Sequence, residues 1–272
     1  MTAKPPYLLA AIDLDETLLG RDHAISPRNA RAVRALADRG VACVIASGRM
    51  HEATTRYADE LGLAGPIISY SGAMVRDTRT GDLWHHAPVP PDAAAEVIEF
   101  CAREGLHLNF YADERVYVAR RGPWAELYLR QTGSPMVEVG DLRRLIGRAP
   151  TKLLLVDTPE TADRLLDHFR AHFGDSLWLT RTNPEYLEFM NPAANKGSAL
   201  ELVADRMGVP REHTVAFGDG NNDLAMIQWA GLGVAMGTAK PAVRAAAGYV
   251  APPFDEDGLG RAIEDIFGLG FA

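Results

Sequence analysis

Short apolar runs that stop abruptly at a small or polar residue recur along the chain: YLLAAID closing on Asp13, VACVIAS on Ser47, PIISYSG on Gly72 and TVAFGDG on Gly220. Such runs, rich in branched residues, predict strands buried on both faces, the habit of a parallel sheet. Around them the period lengthens to that of helices: Pro27 to Arg39 before Gly40, His51 to Leu61 before Gly62, and Gly197 to Met207 before Gly208. Glycine just past the last helical residue is the expected stop, because it enters the left-handed conformation without a Cβ penalty. Strand and helix in alternation, with polar residues at the strand ends, predict an open doubly wound α/β sheet with its ligand site at the carboxyl edge.

Between about Leu83 and Met190 the rhythm changes. Strand patterns LHLNFYADERVYVA, TKLLLVD, SLWLT and YLEFM flank helical stretches near Pro91 to Arg103, Trp124 to Gln131 and Thr161 to Phe173, and Asp113-Glu114 has the character of a hairpin turn. After Asn191 the first pattern resumes. The expected organisation is therefore a Rossmann-like parallel-sheet core from residues 1–82 and 191–272, interrupted by an α+β cap over 83–190.

Composition supports a folded protein: 47% of the 272 residues are apolar and 24% charged, enough to bury a real core. A formal charge of -8 leaves no basic face for a phosphate backbone, so nucleic acid is not an expected partner. Cys43 and Cys101 lie in apolar runs without metal-like spacing and are expected as buried, reduced thiols. The run Tyr7 to Ile12 ends at Asp13, too short for a membrane span and without a cleavage pattern, so a cytoplasmic protein with no membrane partner is expected. No obligate protein partner is inferred.

Asp13-Leu14-Asp15-Glu16-Thr17 sits where the first strand ends. Acidic pairs are common in turns, but two carboxylates leaving a buried strand repel unless a cation or shared proton neutralises them. Mg²⁺ takes one or two carboxylates together with substrate phosphate, so metal and phosphate explain the pair. GDGNNDLAM supplies a second acidic group, Asp219 and Asp223, at the end of another apolar run. A turn capped by Asn222 or Asp223 accounts for part of it, and helix starts also present unpaired N–H groups to anions. Ser47-Gly48-Arg49 offers a hydroxyl and bare amides to phosphoryl oxygens, though taken singly it is an ordinary strand-to-helix turn. Lys196-Gly197 opens a helix directly after the insert, where an ammonium could offset carboxylate repulsion. A solvated surface lysine is the bland alternative.

The order DLDET, ASGR, NKG and GDGNNDLAM resembles the haloacid dehalogenase-like (HAD) hydrolase superfamily, and the insert between the second and third motifs resembles its Cof-type members with a large C2 cap. The closing segment AAAGYVAPPFDEDGLGRAI is similar to that group as well. The resemblance implies a magnesium-dependent phosphatase of a small phosphorylated metabolite, such as a sugar phosphate, pyridoxal phosphate or flavin mononucleotide. Asp13 would attack phosphorus, and Asp15 would protonate the leaving oxygen and later activate water. Mg²⁺ would be held by Asp13, the backbone carbonyl of Asp15 and Asp219, with Asp223 in support. Ser47 and Lys196 would grip the phosphoryl group, with Leu14, Thr17, Gly48, Arg49 and Asn222 among the phosphate- or substrate-binding positions. Cap residues Asn109, Tyr111, Arg181, Asn183 and Tyr186 are candidates for the leaving group. Two positions depart from the usual pattern: Glu16 replaces the Gly after the second Asp, and Ser71 stands in SYSGAM where NGA is common.

Other readings fit less well. GLGVAMG lacks the dinucleotide spacing and reads as strand and turn, and no GxxxxGK[ST] occurs. His168 and His172 are four apart, but no Glu follows the first, so an exposed helix face is expected. A phosphotransferase or mutase would share the aspartyl-phosphate. A non-catalytic phosphate binder would have no use for both a nucleophile and an acid.

Overall fold

A computed structural model describes residues 6–270, and the chain divides into two compact units. One runs up to His85 and resumes at Asn195; the other spans His86–Ala194. The first stretch contains β1 (Leu9–Ile12), α1 (Pro27–Asp38), β2 (Ala42–Ile45), α2 (His51–Leu61), β3 (Pro66–Ser69), β4 (Met74–Asp77) and β5 (Leu83–His86). Next come α3 (Pro91–Glu104), β6 (His107–Ala112), β7 (Arg115–Val118), α4 (Pro123–Thr132), β8 (Met136–Glu138), β9 (Lys152–Val156), α5 (Pro159–Phe173), β10 (Trp178–Thr180) and β11 (Tyr186–Met190). The chain closes with α6 (Lys196–Met207), β12 (Thr214–Gly218), α7 (Leu224–Trp229), β13 (Leu232–Ala235), α8 (Pro241–Ala246), β14 (Tyr249–Val250) and α9 (Gly258–Phe267).

The discontinuous unit is built on a five-stranded sheet in the order β14-β13-β12-β1-β2, parallel throughout. β1 is flanked on both sides, with Ile12 opposite Phe217 and Ile45, which is why its four residues are almost wholly buried. Side chains from the surrounding helices complete one apolar cluster: Leu36 of α1, Leu61 of α2, Leu200 of α6, Ile227 of α7 and Ile263 of α9. Ser26 caps α1 by accepting from the Asn29 N–H, and Gly62 and Gly208 close α2 and α6 in the left-handed region.

The run PIISYSG forms the expected buried strand but has an unexpected second neighbour. On one side β3 meets the end of β2 in the parallel sense, through the bridge Ala46–Ile68 and the Ser47 N–H to the Ile68 carbonyl at 2.8 Å; on the other it pairs antiparallel with β4 in a three-stranded sheet with β5. A run buried on both sides carries no mark of its partner's direction, so periodicity alone could not tell these apart.

The continuous unit has a six-stranded sheet, β10-β11-β9-β6-β7-β8, antiparallel except for the β7–β8 pair. Alternation along its strands divides the side chains: Leu153, Leu155, Leu187 and Phe189 join Val97 of α3 and Leu165 of α5 in one apolar core. Alternate positions carry Asn109, Tyr111, Lys152 and Glu188, also buried. Asp113 and Glu114 form the β6–β7 turn with φ of 52° and 55°, the double left-handed geometry that suits a two-residue hairpin. His168 and His172 are exposed on α5, His168 against the Phe100 ring and His172 hydrogen-bonded to Glu96 at 2.6 Å. No helix among the described residues is long and apolar enough to cross a membrane.

Candidate active site

β1 ends at Ile12, and the next residue, Asp13, continues the ladder through its N–H to the Phe217 carbonyl at 3.0 Å, which fixes its backbone at the sheet edge. Asp13 is 5% exposed, and its carboxylate takes a hydrogen bond from Lys196 Nζ at 2.6 Å. The same ammonium donates to Asp223 Oδ1 at 2.6 Å and is itself 1% exposed, so the solvated-lysine alternative is overturned. Lys196 is held there by the start of α6, where Asn195 Oδ1 accepts from Gly197 and Ser198 N–H groups. Gly197 lets α6 approach α7: a Cβ on it would lie 2.8 Å from the Ala225 carbonyl.

Asp223 uses both oxygens. Oδ2 accepts from the N–H groups of Asp219 and Gly220 at 3.0 and 2.8 Å, capping the turn that leads into α7, while Oδ1 faces Lys196. Asp219 is fixed at its side chain by Thr17, whose hydroxyl donates to Oδ1 at 3.4 Å. Carboxylate oxygens of Asp13, Asp219 and Asp223 lie within 4.8 Å of one another. Burial, followed by the charge of Asp223, pushes the Asp13 carboxyl well above the usual range against the pull of Lys196. Burial, then Asp223, then Glu16 push Asp219 up to about 7. Burial works against the Lys196 charge, but Asp13 and Asp223 outweigh it and hold the ammonium above its ordinary range. Three crowded acids with one lysine are short of positive charge, and their hard oxygens suit a divalent cation.

Asp15 lies beside this cluster and faces another partner. Arg49 grips its carboxylate at two points, Nε to Oδ2 at 2.9 Å and Nη2 to Oδ1. Arg49 also donates to the Tyr57 hydroxyl at 3.1 Å and meets His23 Nδ1 at 3.0 Å. His23 and Tyr57 were not picked out by sequence reasoning, and no local spacing links either to Asp15. Glu16, next along, has φ 56° and an exposed side chain. The Leu14 side chain is fully buried in the apolar core, leaving only its backbone for binding.

Ser47 is fully buried, with its Oγ accepting from the Arg49 N–H at 3.1 Å. Gly48 lies under two polar groups: a Cβ built on it would sit 3.1 Å from Ser71 Oγ and 3.6 Å from Asn222 Nδ2. Thus Lys196 links Asp13 and Asp223, Asp219 lies alongside them, Thr17 joins through Asp219, and Gly48 is brought to Asn222. Asn109, Tyr111, Arg181, Asn183 and Tyr186 all belong to the continuous unit. There Asn109 meets His107 Nε2 at 2.8 Å, the Tyr111 ring packs edge-on to Tyr128, Arg181 bonds Asp163 and the Asn183 carbonyl, and Tyr186 bonds Gln131.

The family model described as haloacid dehalogenase-like hydrolase matches residues 10–263. The chain is 30% identical to 5-amino-6-(5-phospho-D-ribitylamino)uracil phosphatase YitU of Bacillus subtilis, over 97% of this chain and 98% of the relative. It is also 30% identical to the HMP-PP phosphatase of Serratia proteamaculans, over 88% and 86% respectively. Among solved structures, a haloacid dehalogenase-like hydrolase from Bacteroides thetaiotaomicron superposes with a TM-score of 0.89 at 28% identity, covering 96% of this chain and 100% of the other. A Thermotoga maritima protein gives 0.88 at 32% identity, covering 95% and 97%.

Proposed function

The chain belongs to the haloacid dehalogenase-like hydrolases, and from that premise we propose that it is a magnesium-dependent phosphatase of a small phosphorylated metabolite working through an aspartyl-phosphate on Asp13. The observation that carries this reading is the buried Asp13–Lys196–Asp223 chain at the end of the parallel sheet, with Asp219 alongside. The named relatives act on small phosphorylated compounds, a ribitylaminouracil phosphate and HMP-PP, which supports a sugar phosphate or cofactor phosphate here. The core for this chemistry is the parallel-sheet unit, and the inserted α+β unit is proposed as the cap.

In the first half-reaction an Asp13 oxygen attacks phosphorus, and the bond from phosphorus to the ester oxygen breaks. The departing oxygen takes a proton from Asp15. In the second, water attacks phosphorus as Asp15 takes back a proton, the bond to Asp13 breaks, and inorganic phosphate leaves. Ser47, the Gly48 amide, Asn222 and Lys196 bind the phosphoryl oxygens, whose spread charge makes positioning and electrostatics the main catalytic terms. Arg49 is drawn to the incoming dianion and in moving frees the Asp15 carboxylate, which takes up a proton from solvent before the first half-reaction and so has one to give to the leaving oxygen. Thr17 acts through Asp219, which it orients. Asp13, the Asp15 carbonyl and Asp219 would hold Mg²⁺, with Asp223, already committed to Lys196 and two amides, in support. When bound, the ion offsets the repulsion between these carboxylates and the phosphoryl dianion.

Phosphate release from a panel of sugar and cofactor phosphomonoesters, with Mg²⁺ or with chelator, tests the proposal. Release that requires the metal and is abolished in Asp13→Asn is expected. A folded parent that releases none from any ester overturns it.

A further inference from the structure

The turn Tyr70-Ser71-Gly72 is unusual in the parallel-sheet unit because three consecutive residues take positive φ: 49°, 53° and 99°. Two of them are not glycine, and single non-glycine residues in this region cost of order 1 kcal/mol or more, so such a run persists only where its surroundings impose it. Here they do. The Tyr70 and Ser71 N–H groups donate to the Arg49 and Ser47 carbonyls, each at 2.9 Å, tying the turn to the Ser47-Gly48-Arg49 loop. Gly72 lies so close to Asn195, the residue that caps α6, that a Cβ would fall 2.3 Å from its carbonyl oxygen. The strained turn is thus clamped between the loop that carries Ser47 and the helix start that carries Lys196.

The outcome of that strain is the position of one hydroxyl. Ser71 is 5% exposed, and its Oγ lies over Gly48 and accepts a long hydrogen bond from Asn222 Nδ2 at 3.5 Å. Among the described residues the hydroxyl proton has no acceptor. A buried hydroxyl with an uncommitted proton, held over a bare backbone beside a carboxamide, lacks an anionic oxygen to donate to.

We propose that Ser71 is a phosphoryl-binding residue: its hydroxyl donates to a phosphoryl oxygen seated on Gly48 and at the same time fixes the Asn222 carboxamide toward that oxygen. The inference rests on the phosphatase reading and adds a donor to it. A hydrogen bond to an oxyanion is among the stronger ones, so its loss should weaken inorganic phosphate binding by about tenfold or more.

The test compares Ser71→Ala, Ser71→Gly and Ser71→Asn with the parent, measuring inhibition by inorganic phosphate, kcat and KM, Mg²⁺ affinity and thermal midpoint. Calorimetric titration of inorganic phosphate into the Mg²⁺-loaded protein gives binding without turnover. Ser71→Gly removes the hydroxyl while relieving the left-handed strain, so it should fold at least as well as the parent yet lose phosphate affinity as Ser71→Ala does. Asparagine tolerates the left-handed region and brings a donor, so Ser71→Asn should recover much of the affinity. Mg²⁺ affinity should stay as in the parent throughout. Alanine and glycine variants that bind phosphate within twofold of the parent would overturn the inference, as would an asparagine variant no better than alanine. A parent inert on every ester would instead overturn the phosphatase reading, leaving the calorimetric comparison to decide on Ser71.

Discussion

Replacing Asp13 by asparagine should abolish turnover without loosening the fold when no divalent cation is present. Oxygens of Asp13, Asp219 and Asp223 lie within 4.8 Å of one another, and two unit charges at that separation repel by about 3.5 kcal/mol at an effective dielectric near 20. Asp13 in its charged form therefore suffers about 3.5 kcal/mol of repulsion from Asp223 and, with Asp219 pushed up to about 7 and so only partly charged at neutral pH, about 2 kcal/mol more from it. Against this, Lys196 at 2.6 Å attracts it by about 6 kcal/mol on the same scale. The terms nearly cancel, and burial then disfavours the charge, which is why the carboxyl is pushed well above its usual range. A neutral amide of the same shape loses almost nothing, and Asp223 still holds Lys196. In chelator at neutral pH, urea unfolding of Asp13→Asn should give a stability equal to the parent's or up to about 2 kcal/mol greater, while phosphate release falls by at least about 10⁴-fold. Adding Mg²⁺ should favour the parent, since an ion binding only the folded state at 100 times its Kd contributes about 2.7 kcal/mol. A chelated variant less stable than the parent by more than about 2 kcal/mol would show that the Lys196 attraction dominates, and would refute the charge balance argued here.

Two further outcomes follow from buried and strained groups of the same unit. Burial and then the charge of Arg76 pull His51 down to about 4, so the unfolded chain takes up a proton below about pH 6.5 that the folded one refuses. Stability is full above that pH and declines by on the order of 3 kcal/mol as the pH falls to 4. His51→Gln should flatten this acid limb in denaturant titrations at several pH values, and an unchanged slope would discount His51 as its source. Glu16 occupies φ 56°, where glycine relieves about 1–2 kcal/mol of strain but adds unfolded-state entropy of about 0.5–1 kcal/mol. Glu16→Gly should therefore raise the thermal midpoint by about 2 °C, and a fall would mean that the Glu16 side chain has favourable contacts.

The α/β fold class was legible because two signals agreed: short buried runs ending at polar residues, and helical periods ending at glycine. β1, β2 and β12 all follow that pattern. β4, β5, β8 and β14 were not picked out, since they are only two to four residues long and carry polar or exposed positions. The antiparallel pairing of β3 with β4, opposite its parallel bridge to β2, was hidden for a different reason: a run buried on both faces leaves its partner unspecified. At the site, acidic residues at strand ends could be found from charge repulsion alone, but pairings across the chain could not. Asp15 and Arg49 are 34 positions apart, and their ion pair arises from adjacent strand ends in a parallel sheet, not from any local spacing. Ser71 was visible only as a departure from a pattern. Its left-handed backbone has no signature in a serine, which rarely enters that region.

Lys196 illustrates why position in the fold overrides residue type. Lysine is among the side chains least often buried, and nothing in NKG alone favours the interior. Three steric facts do. The Asn195 side chain fixes the first turn of α6, Gly197 allows that turn to close on Ala225, and Gly72 allows the strained turn to close on Asn195. With its helix start pinned from both sides, the Lys196 ammonium ends up between Asp13 and Asp223, 183 and 27 residues away in the chain. The resulting cluster has three carboxylates and one ammonium, an excess of negative charge that an isolated fold would avoid. That imbalance is sensible only if positive charge arrives with function, and the two carboxyls of the cluster pushed above their usual range, Asp13 and Asp219, are the two proposed as carboxylate ligands to the ion. Asp223, saturated by Lys196 and two backbone amides, is the member that a structural role alone would account for.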